Sequence, residues 1–161
     1  MICLSLIKLP RMSKKEIDNL INEQILCRIA FDGKLAPYIA PFQYIFMKNH
    51  LYFHFTDYGK KMDFLEEGVS VCVEIEKYAP NLSSYQFVVL TGKLQEVTNT
   101  NERAKTLAKM IEAAQTRQLS TDFLPAHGIS KEAGWNALSA DKPLIIVKLT
   151  KVTDIRGLKS P

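Results

Sequence analysis

Hydrophobic and polar residues alternate along much of this chain, a pattern typical of strands that bury one face. The clearest case is the run VSVCVEIE at residues 69–76, in which Val or Ile occupies every second position. Five further runs are rich in β-branched and aromatic residues and are bounded by turn-forming residues. The six predicted strands cover residues 25–31, 37–47, 51–56, 69–76, 85–97 and 144–155.

Three other segments space their apolar residues as a helix does. Residues 13–22 begin with an S-x-x-E capping box, and residues 60–67 form a second, shorter helix. A third helix follows the capping residues at 98–101 and continues to about Gln115. Residues 116–142 read as irregular, with room for one short helix.

Turn signals join most of the predicted strands as hairpins. Asp32-Gly33 follows the first strand, and Lys48-Asn49 separates the second from the third. Gly92 lies inside the fifth strand and indicates a bulge or a close backbone approach. The pattern predicts a mainly β protein, a small six-stranded antiparallel barrel with peripheral helices rather than a βαβ sheet.

Composition fits one domain in a reducing compartment. The 161 residues are 47% hydrophobic and 24% charged, so we predict a single domain at 13–161, preceded by an N-terminal arm at 1–12. The net charge of +4 is spread along the chain, which does not favour nucleic acid. The apolar start is too short to span a membrane and lacks signal-peptide features, so no membrane association is expected. The chain has three cysteines without CxxC pairing, which predict no disulfide framework, so the cytoplasm is the expected location. Its three histidines are scattered, so no metal site is predicted.

The stretch LYFHFTDYGKKMDFL at residues 51–65 places two positive charges where a helix is predicted to begin. It changes from strand to helix through Gly59, and Lys60 and Lys61 fall in the first helical turn. Exposed amides already make that end of a helix partly positive, so each lysine there is unfavourable by up to about 1 kcal/mol.

A bound phosphate would explain this arrangement. The helix amides and both lysines would hold the anion, with Thr56 and Asp57 as possible caps of the helix. The alternative is that Lys60 and Lys61 are ordinary solvated surface residues.

With these pieces in place, the chain resembles the FMN-binding split-barrel proteins related to pyridoxamine 5'-phosphate oxidase, and particularly their nitroimidazole-resistance-like branch. The resemblance is carried by APYIAPFQYIF (36–46), LYFHFTDYGKKMDFL (51–65), VVLTGKLQEVTN (88–99) and TDIRGLK (153–159). It implies a six-stranded split β-barrel, FMN as cofactor, and a homodimer with FMN at the interface. It also implies an oxidoreductase that passes electrons or hydride through FMN to a small-molecule acceptor.

The resemblance also implies the site residues. His54 and Phe55 would line the flavin, His54 being the candidate catalytic residue, while Thr56, Lys60 and Lys61 would hold the phosphate. The strand along the flavin ring would be Pro41, Phe42, Gln43 and Tyr44. Phe87 stands where the oxidase has a glutamine, so oxidation of pyridoxamine phosphate is not expected.

Other residues have simpler interpretations. We expect His50 and His127 to be ordinary surface residues, and Cys72 to face outward as a dimer contact. Trp135 is expected to be a packing anchor, with contact to a partner's flavin as the alternative. For His54, the alternative to a site role is a hydrogen-bonded structural histidine of the barrel.

Two other functions stay open at this point. The chain could bind or store flavin without turnover, or the barrel could bind another anionic ligand such as haem.

Overall fold

Six antiparallel strands close into a barrel in the computed structural model, which describes residues 7–138 and 144–161. The strand order around the barrel is β1-β2-β3-β6-β5-β4, which confirms the predicted six-stranded antiparallel fold. The strands are β1 (Leu26–Phe31), β2 (Tyr38–Met47), β3 (His50–Phe55), β4 (Ser70–Tyr78), β5 (Tyr85–Glu96) and β6 (Ile145–Lys159).

The helices lie outside the barrel and follow the predicted segments. They are α1 (Lys14–Glu23), α2 (Lys60–Glu67) and α3 (Thr100–Thr116). The capping box at the start of α1 is present, with Ser13 and Glu16 bonding reciprocally. The described part of the region after α3, which ends at residue 138, holds three short 3₁₀ helices rather than one, at Leu124–His127, Lys131–Ala133 and Trp135–Ala137.

Two strands pair with different neighbours along their lengths. In β2, residues 38–43 pair with β1, whereas residues 44–47 pair with β3. β6 pairs first with β3 and then along β5, which carries it to Lys159, beyond the predicted end at Ile155. The register shifts at Gly92, where an added Cβ would lie 2.6 Å from the Thr150 carbonyl oxygen, so the predicted close approach is confirmed.

Apolar side chains form two clusters on opposite sides of the barrel wall. The inner cluster fills the barrel and includes Phe31, Phe53 and Phe55. The outer cluster lies between β2, β3, β6 and the covering segment from α3 to Leu138. Because that segment covers the barrel there, both faces of β3 are buried.

The described part of the N-terminal arm joins the barrel. The Met12 amide donates to the Gly157 carbonyl, the Lys159 amide donates to the Pro10 carbonyl, and the Met12 side chain is buried. The first six residues lie outside the described part of the chain. No helix within the described ranges is both long and apolar enough to cross a bilayer.

Candidate functional site

The turn between β3 and α2 begins the site. Gly59 takes φ 87° directly before α2, a conformation in which glycine is favoured. No described side chain caps the helix, so the expectation that Thr56 or Asp57 would do so is wrong. The amides of the first helical turn therefore have no side-chain acceptor.

Lys61 folds back over this turn. Its Nζ donates to Thr56 Oγ1 at 2.8 Å and to the Tyr58 carbonyl, and it lies 4.8 Å above the centre of the Tyr58 ring. Burial lowers the pKa of Lys61, and the charge of Asp57 only partly opposes that shift. Within the described ranges no carboxylate lies at ion-pair distance from Lys61. A half-buried cation is thus held by neutral acceptors, and an anion would complete its environment.

Lys60 occupies a different environment from Lys61. It is exposed and lines a groove of about 380 Å³ between residues 33–38 and α2. The contacts of Lys61 instead border a cleft of about 230 Å³, formed by residues 56–58, residues 126–128 and Leu144. The structure therefore places the two predicted phosphate lysines beside different cavities.

His54 points away from the barrel interior, toward Phe123 and His127 of the covering segment. Its ring is parallel to that of Phe123, with centroids 6.5 Å apart, and meets His127 edge-on at 4.8 Å. The Nδ1 atom is buried and has no hydrogen-bond partner among the described residues. Burial, with a smaller contribution from His127, lowers the pKa of His54 to about 4, so the imidazole is neutral at pH 7.

His127 is the residue that sequence reasoning missed. The expectation of an ordinary surface histidine is wrong, because the side chain is half-buried against His54 and its Nδ1 also lacks a partner. Burial, together with the charge of Lys61, lowers its pKa. No local pattern marks it, since it reaches the site only through the fold of the covering segment. His50 is exposed, as expected.

The predicted flavin strand turns two of its four side chains, Phe42 and Tyr44, inward. The Phe42 ring lies 4.8 Å from that of Phe55, and the Tyr44 hydroxyl donates to the Ile21 carbonyl at 2.7 Å. Tyr44 and Phe55 are buried, so they could meet a ligand only through backbone atoms. Gln43 lies on the other face, in a small cavity with His54, and Pro41 is exposed.

Trp135 is a packing anchor, as predicted. Its ring centre lies 4.7 Å from that of Phe123, and Nε1 donates to the Leu119 carbonyl at 3.2 Å. It lines the same small cavity as His54, on the side formed by the covering segment.

Comparison with known sequences places the chain in a family. A sequence model of the family described as pyridoxamine 5'-phosphate oxidase matches residues 13–131. The chain belongs to the pyridoxamine 5'-phosphate oxidase family. The matched segment of this family member includes His54, Lys61 and His127. An uncharacterized protein of Rhizobium meliloti (strain 1021) is 33% identical over 89 residues, which span 55% of this chain and 58% of that protein.

Solved structures share the fold of this oxidase-family chain at low sequence identity. An FAD-binding protein from Mesorhizobium loti has a TM-score of 0.68 at 15% identity, covering 96% of this chain and 100% of that one. A Bacteroides thetaiotaomicron protein, provisionally assigned to 5-nitroimidazole antibiotic resistance, has a TM-score of 0.66 at 19% identity, covering 94% and 87%. These likenesses establish the split-barrel fold for this member of the oxidase family.

Proposed function

We propose that the chain is an FMN-binding flavoprotein and an oxidoreductase that passes electrons or hydride through FMN to a small acceptor. The observation that carries the proposal is Lys61, a half-buried cation held by neutral acceptors at an uncapped helix start. Phosphate is the anion that such a combination of amides and ammonium suits. The Mesorhizobium loti protein of similar fold binds FAD, which supports a flavin as the molecule to which this phosphate belongs.

The residues present fit FMN at its phosphate end. Lys61, Thr56 and the first amides of α2 would hold the phosphate. The cavity beside His54 measures only about 10 Å³, so a three-ring isoalloxazine would lie outside it, at the dimer interface that the proposal includes. Thr56 and Tyr58, which contact Lys61, line a separate cleft of about 230 Å³. The predicted contacts from residues 41–44 and from Phe55 stay predictions.

The protein's own part in the chemistry is to bind, orient and exclude water. Bound FMN would supply a ring able to accept and release hydride or single electrons. His54, neutral at pH 7, is suited to exchange a hydrogen bond with an acceptor rather than to donate a proton as imidazolium. The apolar covering segment keeps water away from this end of the site.

The proposal includes a cytoplasmic homodimer with FMN at its interface. Ile39 on β2 and Ile155 on β6 are 62% and 53% exposed, and Cys72 also faces outward, so the barrel has apolar surface for a second copy to cover. Light scattering at micromolar concentration should give the mass of two chains. The mass of one chain in the presence of FMN would refute the dimer.

Two lysine variants test the phosphate assignment against each other. Lys61→Ala removes a charge-assisted contact worth about 1.5–3 kcal/mol, so FMN should bind roughly 10- to 150-fold more weakly. Lys60→Ala is the matched control, because it removes the same charge from the neighbouring position but faces the other groove. Riboflavin lacks the phosphate, and its binding should barely respond to either change. Equal losses for FMN and riboflavin, or a larger loss with Lys60→Ala, would contradict the assignment.

Turnover requires its own measurement. The FMN-loaded protein should oxidise NAD(P)H steadily when a small acceptor is supplied. If the flavin stays bound but no NAD(P)H is consumed, the result would contradict the oxidoreductase and favour a flavin-binding or storage protein.

A further inference from the structure

We propose that His127 is a second ligand-binding histidine of the site and that, with His54, it binds the oxygen of a neutral, planar acceptor. The identity of this ligand as a substrate rests on the proposed oxidoreductase function. The binding site itself rests on the contacts of the two histidines.

Two buried ring nitrogens without partners point to a ligand. Nδ1 of His54 and Nδ1 of His127 are both buried, and neither has a hydrogen-bond partner among the described residues. Buried polar atoms in native proteins are nearly always paired, and an unpaired one calls for an explanation such as a catalytic role or a bound molecule. Both histidines line the same cavity, and their ring centres are 4.8 Å apart. One oxygen atom between the rings could pair with both nitrogens.

The cavity walls indicate a neutral ligand. Besides the two histidines, the described lining consists of one amide, from Gln43, and apolar or aromatic side chains, with no carboxylate, ammonium or guanidinium group. Burial lowers the pKa of both histidines, to about 4 for His54, and the charge of Lys61 also lowers that of His127, so the neutral form of each ring is favoured. A charged ligand would lose its hydration there without gaining an opposite charge.

The surrounding rings indicate a planar ligand. The rings of Phe123 and Trp135 lie 4.7 Å apart, and Phe123 also lies parallel to His54. Flat aromatic faces favour stacking with another flat ring. A neutral aromatic carbonyl compound meets both requirements.

His127 also joins this cavity to the larger space outside it. The cavity of about 10 Å³ has no room for a ring, but His127 and Leu144 line both it and the cleft of about 230 Å³. A turn of the His127 side chain would therefore connect the two spaces. The ligand ring would lie in the cleft, and its oxygen would reach the histidines.

Trp135 gives a direct readout of binding. It is the single tryptophan of the chain and lines the cavity, so its indole N–H gives one assignable signal in a nitrogen-15 NMR spectrum. The probes are acetophenone, a neutral planar carbonyl, and α-methylstyrene, which has the same shape with CH₂ in place of oxygen. Titration of the full chain with acetophenone should shift the Trp135 signal, and α-methylstyrene should bind about 2- to 12-fold more weakly because it lacks the hydrogen bond.

Variants separate hydrogen bonding from packing. His127→Phe keeps an aromatic ring but removes the nitrogens, so acetophenone should bind about 2- to 12-fold more weakly while α-methylstyrene is unaffected. His127→Asn keeps a hydrogen-bonding atom near the Nδ1 position and should bind acetophenone nearly as wild type does. His50→Ala, at an exposed histidine, is the control and should change nothing.

Each outcome decides the proposal, including cases where a variant does not fold. Equal affinity for the two probes in the wild type, or no shift of Trp135 with acetophenone, would overturn it without any variant. Equal losses in His127→Phe and His127→Asn would also overturn it. FMN titration of the same samples keeps the two hypotheses apart: FMN binding without acetophenone binding refutes only the His127 site, and the reverse refutes only the flavin.

Discussion

The buried imidazole of His54 should make the protein less stable in mild acid. Its pKa is lowered from 6.5 to about 4 by burial and by the neighbouring His127. In the unfolded chain the ring takes up a proton near its ordinary pKa, whereas the native ring stays neutral until far lower pH. The unfolded state therefore binds more protons between these values, and stability falls as the pH drops through them.

The size of this loss follows from the two pKa values. Between about pH 7.5 and about pH 5, protonation of the unfolded state alone lowers the free energy of unfolding by about 2 kcal/mol, and by about 3 kcal/mol at about pH 4. Other titrating groups change stability as well, so the measurement needs a variant that removes only this contribution. His54→Phe does so while it keeps a flat ring against Phe123.

The assay is urea unfolding of wild type and His54→Phe at both pH values. The wild type should lose about 2 kcal/mol more than the variant between about pH 7.5 and about pH 5. His50→Ala, which alters an exposed histidine, should lose as much as the wild type. Equal acid losses in wild type and His54→Phe would refute the conclusion that His54 is neutral and buried in the native state.

Two further predictions concern the barrel and the arm. Gly92→Ala should cost about 1–3 kcal/mol in urea unfolding, because the new Cβ would lie 2.6 Å from the Thr150 carbonyl oxygen; an unchanged midpoint would contradict the close approach. Deleting residues 1–11 should leave FMN affinity nearly unchanged while lowering the unfolding midpoint, because the Pro10 carbonyl and Arg11 pair with β6. A large loss of bound flavin after that deletion would place the arm in the site.

Local patterns were enough to predict the elements of the fold. Period-two alternation located β3 and β4, and the capping box located α1, because both depend on residues close in sequence. The turn at Lys48 and Asn49 was also readable, and both residues have positive φ. The end of β6 was not predicted, because its extension depends on pairing with β5 rather than on its own residues.

The candidate site was only partly readable from the sequence. Lys60 and Lys61 are unfavourable at a helix N-terminus, and this drew attention to the turn before α2. That the two side chains border different cavities depends on their directions around the helix, which the sequence does not show. His127 was missed because it meets His54 through a segment with no periodic pattern. Contacts between residues far apart in sequence leave no local signal, and a single sequence contains no record of them.

A crystal structure of the FMN complex tests the central claim most directly, through the distance from the flavin phosphate to Lys61. The account predicts phosphate oxygens at about 2.7–2.9 Å from Lys61 Nζ and hydrogen bonds from the first amides of α2. A phosphate bound instead beside Lys60, in the groove formed with residues 33–38, would contradict it.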